Sequence, residues 1–440
     1  MVRFHIIHVG TMNNKGTQAL LISDVSLLKK FFRDPSISVS TTDIRGVKSL
    51  NLPLEAIVPT IVDIPFKRAD ALSKRLKIER NEWKYKLLIL SALLLMLIQV
   101  TLSLISAFSI KLGLKPIYRS EVLRRMKNCD LVISCSDENF KESASLLPTN
   151  FYWVATWWSI LFERTLEILM AKFFDKPVIM FPNSIGPFKT YLGRSLSKLA
   201  LNKCDYILLR DITSYRIAES LGITSTKTLT ADTALLLKRK AKTSTKKEAR
   251  PLIGVSPGVY SHSLPNRIVN KYIREHAAAL DMAAEKYGLT IVFLPHYISG
   301  FKLDDLEVSK LIWRNMKKRK HAIIIQVNNV GEFKSLLEKL DILISSKMHP
   351  AVLGVSSFIP TLCIAYDHKQ WGLFTHLGMK EAVINIQEAS KETIFSKISL
   401  IWENREEIKN LLQKKVPVLQ RNTENSIKKA LIRLTFSEKR

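Results

Sequence analysis

Two strand ends in the C-terminal half carry side chains that could bind an anion and move a proton. The segment LDILISSKMHPAVLGVSSFIPTLCIAYDHKQWG reads as strand, loop, helix, strand and loop. Lys347 and His349 fall where the first strand meets the helix, and Tyr366 and Lys369 follow the second strand. Neighbouring parallel strands bring such ends together. A cation beside an imidazole at a helix start is an anion site with a proton carrier, so the segment predicts half of an active site.

Other strand ends supply further candidates. In YILLRDITSYRIAESLGI, Arg210 ends a strand and could hold a carboxylate or phosphate through two parallel hydrogen bonds, or form a surface pair with Asp211. Asp232 of TADTALLL is expected near the cleft, with a helix cap as the alternative. Ser256 of GVSPGVYSHS and His296 of FLPHYISG lie in loops after strands of the second half. A lone histidine at such a place is more often a structural hydrogen-bonding group than a catalyst.

The turn after the first strand has the sequence NNKGTQAL. Asn13, Lys15 and Gly16 lie between a predicted strand and a predicted helix, whose first N–H groups favour an anion. The spacing matches neither of the glycine-rich phosphate-binding motifs. A plain strand-to-helix turn is the alternative interpretation.

Parallel sheets are needed to position these side chains. Strand patterns alternate with helical ones from residue 2 onwards, and most strands are continuous apolar runs, as expected when both faces are covered. We predict an α/β fold with two Rossmann-like domains, residues 1–240 and 250–440, and a cleft between them. The charged segment 238–251 is the predicted linker.

Composition narrows the function classes. The chain has 440 residues, of which 67 are Lys or Arg and 39 are Asp or Glu, so the net charge is +28 and attracts anions. We predict no nucleic-acid binding, because no binding motif or aromatic-interleaved basic stripe is present. The cysteines lack C-x-x-C spacing, which argues against zinc and thioredoxin-like sites, and reduced core cysteines suit the cytosol. The N-terminus is too short and polar for a secretory signal.

One segment has no charged residue over a length that could cross a bilayer. Residues 87–110 read LLILSALLLMLIQVTLSLISAFSI and exceed the roughly 20 residues that a spanning helix needs. Strands of one predicted sheet lie on both sides of it, and both flanks are basic, which argues against a single crossing. We therefore predict a membrane-embedded hairpin, an in-plane anchor or a dimer interface. A buried core helix is the alternative.

An ordered set of motifs resembles the polysaccharide pyruvyl transferases. The matches are NKGTQALL, SIGPF, RDITSYRIAESLGI, ADTALLL and SSKMHPAVLGVSSFIPTLCIAY, followed by K-x-x-G. The resemblance implies two Rossmann-like domains of the GT-B type. It also implies transfer of an enolpyruvyl unit from phosphoenolpyruvate to a sugar, with a pyruvate ketal and phosphate as products and no cofactor or metal.

The same resemblance implies roles for individual residues. Arg210 and Lys347 would hold the donor's carboxylate and phosphate, and His349 would protonate the methylene carbon or stabilise the neighbouring charge. Lys347 stands where the family more often has arginine. The planar, two-pronged guanidinium group is thus replaced by the point charge of an ammonium group. In SCSDENF, Cys135 and Ser136 stand where relatives often have glycines, and Asp137 is retained as a cleft candidate.

We therefore expect a pyruvyl transferase that acts on a surface or lipid-linked glycan at the cytoplasmic membrane face. A glycosyltransferase of the same architecture with a nucleotide-sugar donor is one alternative, because one scaffold serves both chemistries. A non-enzymatic, membrane-associated partner in glycan assembly is the other.

Overall fold

The computed structural model of the protein describes residues 1–63, 72–73, 75–76, 78, 82–142, 151–238, 250–259, 264–299 and 303–436. Within these residues the strands form two sheets. The strands of the first sheet are β1 Arg3–Val9, β2 Ser36–Thr41, β3 Ala56–Val58, β4 Leu131–Ser134, β5 Asp137–Phe140, β6 Val178–Ile185, β7 Tyr206–Leu209 and β8 Thr226–Leu229. Their order is β3-β2-β1-β4-β6-β7-β8, and β5 also pairs with β6.

The second sheet follows the predicted linker. Its strands are β9 Leu252–Ser256, β10 Thr290–Phe293, β11 Ala322–Ile324, β12 Ile342–Ser345, β13 Thr361–Ala365 and β14 Val383–Asn385. Their order is β11-β10-β9-β12-β13-β14. All the strand pairs described in both sheets are parallel. The prediction of two parallel α/β sheets is confirmed.

Helices connect most of these strands. They are α1 Lys15–Phe31, α2 Ile44–Ser49, α3 Trp83–Lys111, α4 Ser120–Asn128, α5 Phe151–Phe173, α6 Tyr191–Leu201, α7 Ile212–Ser220, α8 Asn266–Tyr287, α9 Asp305–Asn315, α10 Val330–Leu337, α11 Met348–Ser356, α12 His368–Leu377, α13 Lys391–Glu403 and α14 Arg405–Phe436. Short 3-10 turns lie at Thr233–Leu236, Arg319–His321 and Lys380–Ala382.

Strand burial accounts for the apolar runs in the sequence. Every residue of β4, β6, β7, β9, β12 and β13 is buried. A strand covered by helices on both faces has no side that can carry polar residues at low cost. Polar side chains therefore collect where the strands end, and that edge holds the candidate site.

The first core is completed by the last helix. Ile427, Ala430 and Leu431 of α14 pack with Phe4 and Ile6 of β1. The chain thus returns from the second sheet to the first. The predicted linker lies largely outside the described residues, which omit 239–249, so the boundaries 1–240 and 250–440 stay a prediction.

The apolar segment forms one continuous helix. The predicted hairpin is wrong, because α3 runs unbroken for 29 residues and its stretch 87–110 contains no glycine or proline that could turn the chain. By length and composition α3 could cross a membrane, and 33% of its most apolar window is buried in the protein. It is therefore not a wholly buried core helix.

Candidate active site

The candidate site lies where the carboxyl ends of the two sheets meet. The turn after β1 reaches across to the second half: Lys15 Nζ donates to the carbonyl of His296 at 3.1 Å, and Asn14 forms an isolated β-bridge with Tyr297. From the other side, Lys369 of α12 pairs with Glu138 of β5. Strand ends of both halves thus form one site, as parallel sheets with a cleft between them lead one to expect.

Arg210, directly after β7, is a buried cation of this site. Its Nε donates to Ser184 Oγ at 2.8 Å, and its Nη1 donates to Asp232 Oδ2 at 2.7 Å. The remaining nitrogen, Nη2, is buried without a hydrogen-bond partner among the described residues. Burial opposes the guanidinium charge, but Asp232 and Glu138 outweigh it and raise the pKa. One hydrogen-bond donor of a fixed cation is therefore available to a ligand.

Arg210 is held in place by a buried polar network. Asp211 accepts from Ser184 Oγ at 2.7 Å and from Ser214 N–H at 2.7 Å, so it caps α7 and fixes the serine that contacts Arg210. The predicted surface pair between Arg210 and Asp211 is not formed, because both side chains are buried. Asp232 accepts from Ala234 N–H at 2.8 Å and from Arg210, so it is both a cap and a site residue.

Glu138 is a site residue that the sequence analysis missed. Its carboxylate pairs with Lys141 and Lys369 and lies 4.0 Å from Nη2 of Arg210. Burial opposes its charge, but the lysines and Arg210 hold its pKa well below the usual range. The available signal was its position: Glu138 follows the candidate Asp137 at the same strand end.

His349, the second residue of α11, lies against the start of α1. A Cβ on Gly16 would come within 2.2 Å of His349 Nδ1, so only glycine at position 16 leaves room for the ring. The ring stacks on His296, with centroids 6.1 Å apart and planes at 15°. His349 Nε2 is buried and has no hydrogen-bond partner among the described residues.

Burial sets the protonation of these two imidazoles. It lowers the pKa of His349; the charge of Asp232 opposes this effect, and that of Arg210 adds to it. It also lowers the pKa of His296 well below its ordinary value, and His349 and Lys15 add to that effect. Both rings are therefore neutral in the empty site at neutral pH.

Lys347 has an acidic partner. Its Nζ lies 3.1 Å from Oδ1 of the buried Asp305, whose other carboxylate oxygen accepts from Tyr297 N–H at 2.8 Å. Burial raises the pKa of Asp305, and Lys347 opposes that rise. A Cβ on Gly258 would come within 2.1 Å of the Lys347 side chain, so the loop after β9 also approaches it closely. Lys347 thus ties three loops of the second half together.

The N-terminal turn lies beside the candidate site. Asn14 accepts from Gly16 N–H at 2.9 Å and caps α1, whereas Asn13 is exposed. Lys15 is buried, which lowers its pKa, and its Nζ contacts the His296 carbonyl. Of this predicted group, Gly16 lies closest to the imidazole of His349.

The other predicted cleft residues make the following contacts. Asp137 accepts from Thr17 Oγ1 at 3.5 Å and contributes to the field at His349. Ser256 is buried and donates to the Leu294 carbonyl at 2.9 Å. Tyr366 follows β13, and its N–H donates to Gln370 Oε1 at 3.0 Å. Within the described part of the chain, no group of three or more His, Cys, Asp or Glu residues could hold a metal ion.

Cys135 and Ser136 belong to a buried hydrogen-bond network beside the site. Asp24 of α1 accepts from Ser136 N–H and from Ser136 Oγ, both at 2.9 Å, and from Cys135 Sγ at 3.4 Å. Burial raises the pKa of Asp24 to about 6 against these hydrogen bonds. The two residues therefore fix the start of β5, which carries Asp137 and Glu138.

Comparison with known proteins identifies relatives of the whole architecture. A family model described as polysaccharide pyruvyl transferase matches residues 14–368. The amylovoran biosynthesis protein AmsJ of Erwinia amylovora is 24% identical over 328 residues, which are 68% of this chain and 72% of that protein.

Solved structures of low sequence identity share the fold. A UDP-N-acetylglucosamine 2-epimerase from Listeria monocytogenes matches with a TM-score of 0.62 at 10% identity, over 99% of this chain and 97% of that one. HepE of Anabaena, solved in complex with UDP, matches with a TM-score of 0.56 at 9% identity over 100% of both chains. These matches show a GT-B-like arrangement of the two sheets.

Proposed function

The chain belongs to the polysaccharide pyruvyl transferase family, and we propose that it transfers a pyruvyl group from phosphoenolpyruvate to a sugar of a surface or lipid-linked glycan, forming a pyruvate ketal. The relationship to an amylovoran biosynthesis protein supports a polysaccharide acceptor. One observation carries the donor assignment: Arg210 Nη2 and His349 Nε2 are buried polar atoms that have no hydrogen-bond partner among the residues the structure describes. Such atoms are rare in folded proteins, and a ligand that binds both would satisfy them.

Phosphoenolpyruvate suits this pair of atoms. It carries a carboxylate and a phosphate beside one reactive double bond. Arg210 is a fixed, always-charged donor that can bind either anionic group. Lys369 has a side chain 10% exposed and adds a second cation close by, where it shares Glu138 with Arg210. Burial strengthens these contacts, because the surrounding dielectric is low.

The reaction needs one proton on carbon and two new carbon–oxygen bonds. In our proposal, His349 gives a proton to the methylene carbon, which becomes a methyl group and leaves positive charge on the neighbouring carbon. The first sugar hydroxyl attacks that carbon. Its phosphate then leaves, and a second hydroxyl closes the ketal. Of the two hydroxyl protons, one returns to His349 and the other protonates the released phosphate. The reaction therefore balances without any further reagent.

The charge of the site fits the order of these events. The empty site holds a neutral His349, because burial lowers its pKa. A bound trianion would counteract that effect and favour protonation of the imidazole next to the double bond. Arg210 stabilises both the bound donor and the departing phosphate. His349 is the proposed proton donor, and Arg210 is the proposed anchor of the donor.

Phosphate release from phosphoenolpyruvate tests this proposal. The purified full chain is incubated with phosphoenolpyruvate and a mixed pool of lipid-linked and nucleotide-activated sugars. We expect acceptor-dependent phosphate release, a product heavier by the pyruvate ketal in mass spectrometry, and loss of both in His349→Ala. A sugar product formed from a nucleotide-sugar alone, with no dependence on phosphoenolpyruvate, would support a glycosyltransferase of the same fold instead.

A further inference from the structure

The α3 helix packs on the protein through buried apolar residues and through three hydrogen-bonded polar side chains, and its outward side is also mostly apolar. On the inner side, Gln99 Oε1 accepts from Asp63 N–H at 2.8 Å, and Ser103 Oγ donates to the Ile61 carbonyl at 3.2 Å. Ser106 Oγ accepts from Tyr118 N–H at 2.8 Å. A helix on a water-facing surface normally carries charged and polar residues on its exposed side. The helix is thus attached along its side to the first half of the molecule, with its apolar side exposed.

The outer face is defined here by the exposed large apolar residues of α3 from Leu87 to Phe108. Their side chains are between 44% and 60% exposed: Leu87, Leu90, Leu94, Leu95, Leu97, Ile98, Leu104, Ile105 and Phe108. No charged residue lies between Leu87 and Ile110. A continuous exposed apolar surface of this kind marks an interaction site.

The hydroxyl groups of α3 that point away from the core are satisfied inside the helix. Ser91 donates to the Leu87 carbonyl at 2.6 Å, Thr101 to the Leu97 carbonyl at 3.1 Å, and Ser109 to that of Ile105 at 2.9 Å. Because these hydroxyls donate to carbonyls of the preceding turn, they need no hydrogen bond from water, and a surrounding without water can accommodate them. Both the apolar side chains and the internally hydrogen-bonded hydroxyls of the outer face are therefore compatible with hydrocarbon.

A second copy of the chain would require a different surface. A helix–helix seam in water is a narrow apolar stripe with charged residues along both margins. The outer face contains such an apolar stripe, but the residues beside the stripe are Leu95, Ile98 and Ile105, which are apolar instead of charged. An apolar face about half the helix circumference wide fits the boundary layer of a bilayer better than it fits one partner helix.

Lysines lie at both ends of the outer face. Lys84 and Lys86 are exposed at the start of α3, and Lys111 and Lys115 are exposed at its end. A helix that lies in the plane of a membrane brings both of its ends to the same headgroup layer, where lysines attract anionic lipids. The inner-face hydrogen bonds oppose a crossing orientation, since they hold the long side of α3 against the protein.

We propose that the outer face of α3 docks the protein, in plane, on an anionic lipid bilayer. The helix sinks to the level of the outer acyl chains, and the four lysines contact the headgroups. This places the enzyme at the cytoplasmic leaflet, which carries anionic lipid. The inference does not depend on the proposed donor or reaction, because lipid binding is measured without either substrate.

Vesicle flotation of the full chain tests the proposal. With vesicles of 70% phosphatidylcholine and 30% phosphatidylglycerol, we expect the protein to float. The combined variant Leu94→Gln, Leu97→Gln and Leu104→Gln should reduce the floated fraction more than tenfold. A matched control replaces three exposed apolar residues elsewhere, Ile323→Gln, Leu400→Gln and Val418→Gln, and should float as the parent does.

Two further measurements decide the binding mode. Replacing Lys84, Lys86 and Lys115 by glutamine should weaken binding to the anionic vesicles at low salt but leave the parent's weaker binding to pure phosphatidylcholine vesicles unchanged. Two single variants, Lys84→Cys and Lys115→Cys, are bound to preformed vesicles and treated with a membrane-impermeant maleimide. Both should react, because an in-plane helix leaves both of its ends on the outside of the vesicle. The native cysteines are buried and should not contribute. No flotation, protection of one end only, or a dimer abolished by the leucine variant would overturn the proposal.

Discussion

Nη2 of Arg210, which has no hydrogen-bond partner among the described residues, lies 4.0 Å from Oε1 of Glu138, the carboxylate oxygen that also pairs with Lys369. The Glu138 carboxylate therefore lies between the two cations, in the place that we assign to an anionic group of the donor. Before an anion binds, the carboxylate neutralises the site and keeps both cations close together. Once an anion binds, it competes with Glu138 for them.

Replacement of Glu138 by glutamine should tighten anion binding. Glu138→Gln keeps the side-chain shape but removes the charge that competes with the donor. We expect phosphoenolpyruvate to bind roughly three- to tenfold more tightly, the size of effect that one nearby charge has in a partly screened site. Isothermal titration calorimetry measures the dissociation constant directly. Unchanged or weaker binding in a correctly folded variant would contradict competition.

Replacement of Arg210 by lysine should weaken donor binding while the charge is retained. A lysine cannot contact Ser184, Asp232 and a ligand at once, because it lacks the planar fork of the guanidinium. We expect KM for phosphoenolpyruvate to rise roughly tenfold or more. Arg216→Lys on the exposed side of α7 is the matched control and should match the parent. Equal donor dependence in the two variants would remove Arg210 from the binding site.

Substitution of Gly16 by alanine should displace the imidazole of His349. The new Cβ would lie 2.2 Å from Nδ1, so the ring must move. We expect kcat to fall at least tenfold and the free energy of unfolding to fall by roughly 1–3 kcal/mol. Gly10→Ala in the same turn is the control, because its nearest neighbour would be 3.5 Å away. Similar kcat values in the two variants would argue against a role for the His349 position.

Donor binding should be accompanied by proton uptake at His349. Burial lowers the pKa of this group in the empty site, and a bound anion raises it again, so protein and donor together bind more protons than they do apart. Affinity should therefore decrease as pH rises between these two pKa values. Calorimetry in buffers of different ionisation enthalpy measures the proton count. His349→Asn should lower that count, and an identical count would refute protonation of this imidazole.

The sequence predicted the sheets and the strand-end residues because both depend on local patterns. Continuous apolar runs identify buried parallel strands, and polar residues directly after them lie at the ligand-binding edge. Arg210, His349, Asp232 and Lys369 were found in this way. Their grouping also followed from the rule that parallel strands end at one edge.

Partners that are distant in the sequence could not be predicted, since they depend on how the elements and the two halves pack together. Nothing near Lys347 in the sequence indicates Asp305, which is 42 residues earlier and begins α9. Glu138 was missed for the same reason, because its lysine partner Lys369 belongs to the other sheet. The extra role of Gly16 appears only when α11 is placed against α1. The outer face of α3 likewise needed the structure, because sequence gives the hydropathy of a helix but not which side is covered.

Replacement of Glu167 by glutamine should change how stability depends on pH. Glu167 of α5 is fully buried, with Oε1 3.4 Å from the Ile61 N–H and Oε2 3.7 Å from His8 Nε2. Burial raises its pKa to about 7, and neighbouring Glu163 is also kept neutral by burial. A raised carboxyl pKa means that the folded state binds a proton that the unfolded chain has lost. The resulting stability is fully present below the unfolded pKa and is lost as pH rises through about 7.

Glu167→Gln lacks this titration and keeps the neutral hydrogen-bonding shape. The free energy of unfolding of the variant should therefore improve relative to the parent by roughly 1.4 kcal/mol between pH 6 and pH 8.5, as the parent's carboxyl ionises without solvent. Urea unfolding at the two pH values measures this difference. The exposed Glu406, replaced in the same way, is the control, because water solvates its carboxylate in the folded and unfolded chains alike. A difference between variant and parent that stays constant across this range would show that Glu167 does not hold its proton in the folded protein.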